Sequence, residues 1–579
     1  MNYSNTFLLV LFVSFVGSAC IADSNPIEVR DHEDSEATEV DIGQTHEFET
    51  VDRDAVVLLF DGKLPDDADF DVELDRVFDA DVYVGPDDEI GDPHWITRGR
   101  LLDGDGDPIW TQRVNSLYQL LQFLTVIVEQ LIPLNITVDM IFDLAEEDYP
   151  ELLQFAVKVP TELDGAESYV LEIHHDDQWH EVASYELDDL LDRAETPEPD
   201  IEYEIESIVD EGPPEDRINV VILGDGYTED EREKFEGDVQ AVAERFMDSS
   251  PMTEHADLFN IKSVWTPSEE SGAGFDCNHA AADSDCEQDF RDTPFDTTFV
   301  IPALGEEYGF PTDDISDRVA MPLNLERIYE IASLTHYDEI IMISNSDKFS
   351  GFAGLYVAMV TNFDDRDYFP DTAVHEVGHT LGLLGDEYTN PSDACYYNEP
   401  MIPLPANIGL VEDHEVKWDE WIASGTPVPT PDEHADDFDV GAFEGAYNCD
   451  FLVRPAHQCK MNNSSHEFCS VCAEQMVRRF YSVVDPAPAT QGARVESRTD
   501  GSVELSVPVR NEDRYQVEWV VDGEPLNRRS STITLPAGEL SDDWIEVEAY
   551  VRNSTAFLNT LDESVESSYR FDIRPVDES

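Results

Sequence analysis

The chain has 579 residues, of which 41% are apolar and 10% aromatic, so it carries enough apolar material for several packed cores. It contains 129 Asp and Glu against 33 Lys and Arg, which gives a formal net charge of −96. A surface of this charge repels a phosphate backbone, which disfavours nucleic acid as a partner. The acids are spread along the whole chain, a pattern typical of proteins that stay soluble in concentrated salt.

The N-terminus is typical of an export signal. An apolar run over residues 7–16 is too short to span a bilayer, and Ala19-Cys20 follows it. This dipeptide resembles a bacterial lipoprotein cleavage site, which would leave Cys20 as a lipidated first residue. Ordinary cleavage after Ala19 or Ala22 stays open. We therefore expect residues 1–22 to be a signal peptide, and the protein to be secreted or held at the bacterial surface, in the outer membrane, through a lipid on Cys20.

Composition divides the rest of the chain into segments. The acidic residues 23–45 predict a tether, and alternating apolar residues over 46–190 predict a β-rich, sandwich-like domain. One helical stretch near 117–131 interrupts this pattern. An acidic run with several prolines over 191–216 predicts a linker.

Two further domains follow. Residues 217–485 begin with a buried strand, a glycine turn and a helix with Thr228 as its N-cap, which indicates an α/β arrangement. Residues 486–579 return to short alternating strands, with a hairpin turn at Asp522-Gly523. A tryptophan in a central strand favours an immunoglobulin-like β-sandwich there.

The eight cysteines allow two interpretations. Export permits disulfides, and Cys277 and Cys286 could close a small loop. Cys459, Cys469 and Cys472 cluster late in the chain. We favour disulfides for this cluster over a structural zinc site, although the spacing by itself leaves both open.

An HExxH sequence over residues 375–379 carries the chemistry. It lies in a predicted helix over 371–384, so His375 and His379 lie on one face, a single turn apart. This spacing lets two imidazoles bind one tetrahedral Zn²⁺ with room left for water. Glu376, beside the first ligand, can take a proton from that water and pass it to the departing amine.

The residues around this helix support a metal site. Gly378 and Gly382 are costly inside a helix, so they indicate tight packing. We expect Gly385 to end the helix in a left-handed turn that directs Asp386 back towards the metal. We assign Asp386 as the third ligand, with Glu387 as the alternative. A supporting role for Asp386 behind a ligand histidine stays open.

The HExGH run, with Asp386-Glu387-Tyr388 after it, resembles the M64 (IgA peptidase) family of zinc metallopeptidases. Further similar segments extend the resemblance over about 217–485. It implies a metzincin-like zincin fold, in which a Met-turn lies beneath the metal, and Met461 matches that position. Tyr388 and Tyr447 are candidates to stabilise the oxyanion of the reaction.

The expected fold is therefore α+β and multidomain: a zincin (metzincin-like) catalytic domain between an N-terminal β-sandwich-like domain and a C-terminal immunoglobulin-like sandwich. The expected activity is hydrolysis of peptide bonds in a protein or peptide substrate, with a strand over 353–362 flanking the cleft. Zn²⁺ is the expected metal, and the many carboxylates also admit Ca²⁺. No sequence feature specifies an oligomeric state or immunoglobulin A as substrate.

Two alternatives remain open. The first is a surface-binding protein with a degenerate, non-catalytic zincin domain, against which the intact Glu376 argues. The second is a thermolysin-type enzyme whose third ligand is a glutamate on a later helix. The acidic residues directly after the HExGH helix favour the metzincin-like arrangement.

Overall fold

A computed structural model describes the chain in segments. These are residues 40–46, 54–63, 71–81, 97–114, 154–161, 163, 165–175, 178–276, 289–300, 320–354, 357–363, 368–389, 404–411, 416–434, 438–487, 492–498, 500–511, 514–538, 540, 544–553, 557–559 and 566–575. The expected signal peptide with Cys20, the expected helix near 117–131, and Cys277 with Cys286 lie outside the described residues.

The N-terminal region is rich in β-strands. Its elements are β1 (Val40–His46), β2 (Asp54–Lys63), β3 (Asp71–Asp81), β4 (Thr97–Leu102), β5 (Pro108–Arg113), β6 (Gln154–Pro160), β7 (Ser168–His175), β8 (Gln178–Glu186) and the helix α1 (Leu187–Arg193). Two antiparallel sheets form here, in the orders β3-β2-β6 and β5-β4-β7-β8. The sandwich-like packing of this region stays a prediction.

The middle of the chain alternates strands and helices. Its elements are β9 (Glu204–Val209), β10 (Ile218–Asp225), α2 (Arg232–Asp248), β11 (Phe259–Trp265), β12 (Gly274–Asp276), β13 (Thr298–Val300), β14 (Ala320–Met321), α3 (Leu325–Ala332), β15 (Glu339–Ser344), β16 (Gly351–Gly354), β17 (Val357–Thr361) and α4 (Phe369–Thr380). Six of these strands form one mixed sheet, in the order β16-β17-β15-β10-β11-β9. Its four central strands are parallel, and the strands at both edges are antiparallel to their neighbours.

The start of this region follows its sequence closely. Every residue of β10 is buried, as its apolar run over residues 220–223 predicted. The chain then turns at Gly226, which has a φ of 74°, and a side chain there would lie 2.4 Å from the carbonyl oxygen of Gly272. Thr228 and Glu231 form the predicted cap at the start of the following helical segment, and the main-chain N–H of Thr228 donates to the Glu231 carboxylate at 3.0 Å. This motif therefore shapes the turn that leads into α2.

One hydrophobic core joins the N-terminal strands to the central sheet. Phe60 and Phe155 stack with their ring centroids 5.2 Å apart. They belong to the same cluster of buried side chains as Tyr337 in front of β15 and Met342 within it. Burial of a continuous apolar surface fixes these two regions in one unit.

Three segments differ from their expected structure. Within the segment 191–216, expected to be a linker, Glu204–Val209 is strand β9, bound to β11 by its main chain while most of its side chains are exposed. Val40–His46, in the expected tether, is strand β1. The single strand expected over 353–362 is a hairpin of β16 and β17, paired from Gly354↔Val357. Edge strands held by main-chain hydrogen bonds lack the apolar pattern that identifies buried ones.

Smaller elements complete the central part, and antiparallel strands follow. They are β18 (Gly409–Leu410), β19 (Phe443–Ala446), β20 (Cys449–Arg454), α5 (Ser470–Val483), β21 (Arg494–Ser497), β22 (Val503–Ser506), β23 (Tyr515–Val521), β24 (Glu524–Leu526), β25 (Thr532–Leu535), β26 (Ile545–Asn553) and β27 (Glu566–Pro575). The last seven and β1 form two antiparallel sheets, in the orders β1-β27-β26-β23-β24 and β21-β22-β25.

Details of the C-terminal strands match the sequence. Asp522 and Gly523 both have positive φ and join β23 to β24, as the hairpin signal predicted. Trp519 is fully buried in β23 and stacks on Phe571. The immunoglobulin-like assignment itself stays a prediction.

The described residues fall into two compact units. The first takes those within 53–211 and 218–476, and the second those within 19–52, 212–217 and 477–579. The arrangement is thus mixed α+β with many sheets and few helices, consistent with a multidomain chain. In the described part, no helix has the length and apolarity needed to cross a membrane.

Candidate metal centre and active site

The HExxH sequence lies on α4, which packs against α2, β16 and β17. Every residue of the helix from Phe369 to His379 is buried, so the helix belongs to the core of the first unit. Because the helix is α-helical throughout this stretch, His375 and His379 point to the same side, one turn apart. The structure thus brings the two predicted imidazoles together.

The helix ends earlier than the sequence predicted. It stops at Thr380, and the left-handed residue is Leu383, with a φ of 53°, whereas we expected this role for Gly385. The main-chain N–H of Leu384 donates to the carbonyl of Gly378 at 3.0 Å, which reverses the chain direction. Gly385 is required for a different reason, because a Cβ there would lie 2.6 Å from the hydroxyl of Tyr447.

The reversed chain places Asp386 against both histidines. The Oδ1 atom of Asp386 lies 3.2 Å from Nε2 of His375 and 3.3 Å from Nε2 of His379. The two Nε2 atoms are themselves 3.3 Å apart. Three ligand-type atoms therefore form a nearly equilateral triangle, and all three side chains are buried.

The hydrogen bonds of the histidines fix their tautomers. Nδ1 of His375 lies 2.8 Å from the carbonyl oxygen of Lys460, and Nδ1 of His379 lies 2.7 Å from that of Leu384. A carbonyl oxygen only accepts, so each Nδ1 carries a proton and each neutral ring keeps its lone pair on Nε2. Histidines that bind metals commonly donate their second N–H in this way.

The triangle is compatible with a metal ion. Tetrahedral ligands at 2.0–2.1 Å from a metal lie about 3.3 Å from one another, close to the separations among these three atoms. Both carboxylate oxygens of Asp386 are buried without a hydrogen-bond partner. Two lone pairs and a carboxylate this close repel one another unless a cation lies between them. When the two imidazoles are protonated instead of binding a metal, burial raises the pKa of Asp386 but the charge and N–H groups of His379 and His375 outweigh it and lower the pKa to about 2, so the carboxyl group stays ionised.

Glu376 lies beside this triangle with one oxygen unused. Its Oε2 atom is buried without a hydrogen-bond partner. Its Oε1 atom lies against β16, where a Cβ on Gly351 would approach it to 2.5 Å. Burial raises the pKa of Glu376 to about 8, and the charge of Asp386 adds to this effect. The group can therefore hold or release a proton near neutral pH.

The sulfur of Met461 lies against α4 at Gly378, and the Met-turn role implied by the resemblance stays a prediction. A Cβ on Gly378 would come within 2.7 Å of the Met461 sulfur, which explains why this helix position is a glycine. The preceding residue, Lys460, is also buried, and its ammonium group lies 3.0 Å from the carboxylate of Asp371 at the start of α4. The segment that contains Met461 thus contacts α4 both at Asp371 and at Gly378.

The remaining predicted residues lie close by in different environments. Tyr447 is buried, its hydroxyl lies against Gly385, and its main-chain N–H donates to the Asp386 carbonyl. Tyr388 is half-buried, and its carbonyl accepts from the main-chain N–H of Asn448. The Glu387 side chain lies away from the triangle, with Oε1 3.0 Å from the sulfur of Cys472.

Sequence reasoning missed one residue that fixes the position of Asp386. Asn407 accepts from the N–H of Gly385 and donates to its carbonyl, both at 2.8 Å, and also donates to Glu387 at 2.9 Å. It therefore holds the chain on both sides of Asp386. No motif or spacing marks Asn407 in the sequence.

The cysteines differ from the favoured interpretation. Cys459, Cys469 and Cys472 are free thiols, although we expected disulfides in this cluster. Cys449, on β20, is disulfide-bonded. The structure therefore separates a bonded cysteine from a buried group of three that lies beside Glu387.

A family model described as IgA Peptidase M64 matches residues 206–439, and no curated protein matches the chain. The matched range runs from β9 past α4 and Asp386, while Met461 and the three free cysteines follow it. A peptidase acts on protein or peptide substrates. Residues 206–439 of this chain therefore match the model of the IgA peptidase M64 family, as the motif resemblance predicted.

Proposed function

We propose that the chain is a zinc-dependent endopeptidase whose metal is held by His375, His379 and Asp386. The observation that carries the proposal is the triangle of their ligand atoms, with edges of 3.2–3.3 Å, beside the unpartnered oxygen of Glu376. Two imidazoles and one carboxylate with a further position left open are a typical donor set of catalytic zinc.

The protein prepares this site before any substrate arrives. The carbonyls of Lys460 and Leu384 orient both imidazoles, so little rearrangement is needed to present two lone pairs. When bound, the zinc supplies a Lewis acid, which polarises the scissile carbonyl and lowers the pKa of water. Burial of all three ligands excludes bulk water and strengthens each electrostatic interaction.

Glu376 is the proposed general base and then the general acid. Its free Oε2 takes the proton of the attacking water, and the same carboxyl group delivers that proton to the departing amine. A carboxyl group whose pKa lies near neutrality performs both transfers with little driving force lost. Gly351 leaves the space that this carboxylate occupies.

Strand β16 is the edge strand that we propose binds the substrate. It lies at one edge of the six-stranded sheet and pairs with β17 on its other side. An extended peptide can add to such an edge through main-chain hydrogen bonds, which places a peptide bond near Glu376 irrespective of sequence. This edge replaces the strand over 353–362 that we first expected in that role.

Two parts of the sequence-based hypothesis remain within the proposal. Tyr388 lies two residues after Asp386, and Tyr447 contacts Gly385 and donates its main-chain N–H to the Asp386 carbonyl. We retain both tyrosines as candidates to stabilise the oxyanion. Export, with or without lipidation at Cys20, brings the enzyme to substrates outside the cell. Mass spectrometry of the mature N-terminus separates a lipidated Cys20 from ordinary cleavage after Ala19 or Ala22.

The full-length protein tests the proposal through Glu376→Gln. This substitution keeps the shape of the side chain and removes its ability to accept a proton. We expect casein hydrolysis to fall about 10²–10⁴-fold in kcat, the usual contribution of a general base, while the metal content stays unchanged. Glu244→Gln, at an exposed position on α2, is the matched control and should keep full activity.

A second measurement addresses the metal. Dialysis against a chelator should abolish hydrolysis, and stoichiometric Zn²⁺ should restore it, whereas His379→Ala should be inactive with or without added zinc. Full activity of Glu376→Gln would refute the assigned base. A wild-type protein that neither binds zinc nor cleaves casein would favour a non-catalytic binding protein.

A further inference from the structure

A second group of metal-ligand side chains lies next to the first. The ligand atoms of Glu387, Cys459, Cys469 and Cys472 all lie within 4.8 Å of one another, and all four residues are buried. The sulfurs of Cys459 and Cys472 are 3.6 Å apart, and the Cys472 sulfur is 3.0 Å from Oε1 of Glu387. Each of the three cysteines is a free thiol.

The number and kind of these donors favour a cation over a disulfide. Any disulfide uses two of the three sulfurs and leaves the third buried beside a carboxylate. Four tetrahedral ligands with metal–sulfur distances near 2.3 Å would place sulfurs about 3.8 Å apart, close to the separation of Cys459 and Cys472. Sulfur-rich tetrahedral sets select zinc among the common biological divalent cations.

Two further observations point to a ligand. The second carboxylate oxygen of Glu387 is buried without a hydrogen-bond partner. The main-chain N–H of Cys469 donates to the Cys459 sulfur at 3.4 Å, which stabilises a thiolate there. Cys469 immediately precedes α5 and Cys472 lies in its first turn, where the positive end of the helix dipole also favours thiolates.

We propose that Glu387, Cys459, Cys469 and Cys472 bind a second zinc ion with a structural role. All four positions around this ion are filled by the protein, as in other structural zinc sites. The proposal rests on donor chemistry and geometry, and it does not depend on the chain being a peptidase.

The position of this second site indicates that it stabilises the segments that form the first site. Glu387 directly follows Asp386, and Cys459 directly precedes Lys460, whose carbonyl orients His375. The N–H of Glu387 also donates to the carbonyl of Met461 at 2.8 Å. A zinc ion on the four ligands therefore ties three separate segments together and holds in place the groups that form the first metal site.

Metal counting on the purified full-length protein tests the proposal. We expect two zinc equivalents per chain in the wild type and one each in His379→Ala and Cys472→Ser. After replacement by Co²⁺, sulfur-to-cobalt charge-transfer absorption should persist in His379→Ala and disappear in Cys472→Ser. Cys469→His keeps a zinc ligand at that position, so this variant should retain the second equivalent.

The wild type alone also decides the matter if a variant fails to fold. A single zinc equivalent with no sulfur-to-cobalt absorption would overturn the proposal. So would an intact mass that shows a disulfide among the three cysteines in the freshly purified protein. Loss of peptidase activity in Glu376→Gln with two zinc ions still bound would leave this proposal standing and test the function alone.

Discussion

Two clusters of ligand-type side chains contain the adjacent residues Asp386 and Glu387, and they differ in whether a coordination position is left free. The cluster at Asp386 has two imidazoles and one carboxylate, and the cluster at Glu387 has three thiols and one carboxylate. The first has an additional buried acid, Glu376, with an unused oxygen beside it. In the second, every potential donor faces the other donors.

This difference shows how two adjacent residues, Asp386 and Glu387, can contribute to a site suited to catalysis and to a site suited to stabilising the fold. Asp386 and Glu387 are neighbours in the chain, yet the Asp386 side chain approaches the histidines and the Glu387 side chain approaches Cys472. A site with three protein ligands leaves a position for water or substrate, while a site with four does not. The nitrogen and oxygen cluster is therefore suited to catalysis, and the sulfur cluster to holding the chain.

Replacing the two acids one at a time should give the largest effects and tests whether the two clusters really differ. We expect Asp386→Ala to remove zinc from the first site and abolish hydrolysis, because loss of a ligand costs more than the roughly 10–100-fold in affinity typical for an outer partner. We expect Glu387→Gln to weaken the sulfur-bound ion and to leave zinc at His375 and His379. Metal content and cobalt spectra of both variants measure the two losses separately.

The two variants must differ in which ion they lose. If Glu387→Gln removed the histidine-bound zinc while Asp386→Ala retained it, Glu387 would be the third ligand, the alternative left open by the sequence. Asp338→Ala, directly before β15, removes a carboxylate that accepts hydrogen bonds from Asn219; it is a suitable control for loss of a carboxylate and should keep both ions.

The free oxygen of Glu376 should impose a pH-dependent cost on the metal-free protein. Its pKa is about 8 in the folded chain and 4.5 ordinarily, because burial disfavours the ionised form. Folding is therefore unaffected by this group below pH 4.5. The cost grows as the pH rises from 4.5 to 8, at about 1.4 kcal/mol per unit, to a total of a few kcal/mol.

Glu376→Gln removes this cost because the amide does not ionise. The difference in unfolding free energy between variant and wild type, measured by urea denaturation after metal removal, should shift in favour of the variant by a few kcal/mol between pH 5 and pH 8. Glu244→Gln, at an exposed position, is the control against which this shift is measured. For Glu376→Gln, a difference that does not change with pH would show that the carboxylate is not desolvated.

The sequence predicted that the two histidines lie together because the information for this is local. A spacing of four residues on a helix places His375 and His379 together whatever surrounds them. Asp386 follows so soon that the chain has few paths by which to avoid the two histidines. The apolar run of β10 over residues 220–223 and the capping residues Thr228 and Glu231 are local signals of the same kind.

The parts that failed depend on distant contacts. Glycine propensity favoured Gly385 for the left-handed position, but Leu383 adopts it, and Gly385 instead makes room for the hydroxyl of Tyr447. Glu204–Val209 became an edge strand through main-chain pairing with β11, which leaves no trace in an acidic sequence. The link between Glu387 and cysteines more than 70 residues away has no periodicity that could reveal it.

The segment 459–461 contributes to both clusters, and it packs against α4 at Gly378, which leaves space for the Met461 side chain. A substitution at Gly378 therefore tests the link between the clusters, with the smallest expected effect. Gly378→Ala would place a Cβ 2.7 Å from the Met461 sulfur and 3.0 Å from the ring of Phe468. We expect this overpacking to destabilise the protein by about 1–3 kcal/mol and to weaken zinc binding by the histidines, because it shifts the carbonyl that orients His375.

Gly237→Ala on α2 is the matched control, since an added Cβ there meets nothing within 4 Å. It should stabilise the protein by up to about 1 kcal/mol through helix propensity alone, with zinc binding unchanged. Thermal unfolding and zinc competition measure both effects. If Gly378→Ala matched Gly237→Ala in both, the Met461 segment would not be packed against the helix. In that case, binding of an ion by the cysteines could not position His375 through the packing of this segment against α4.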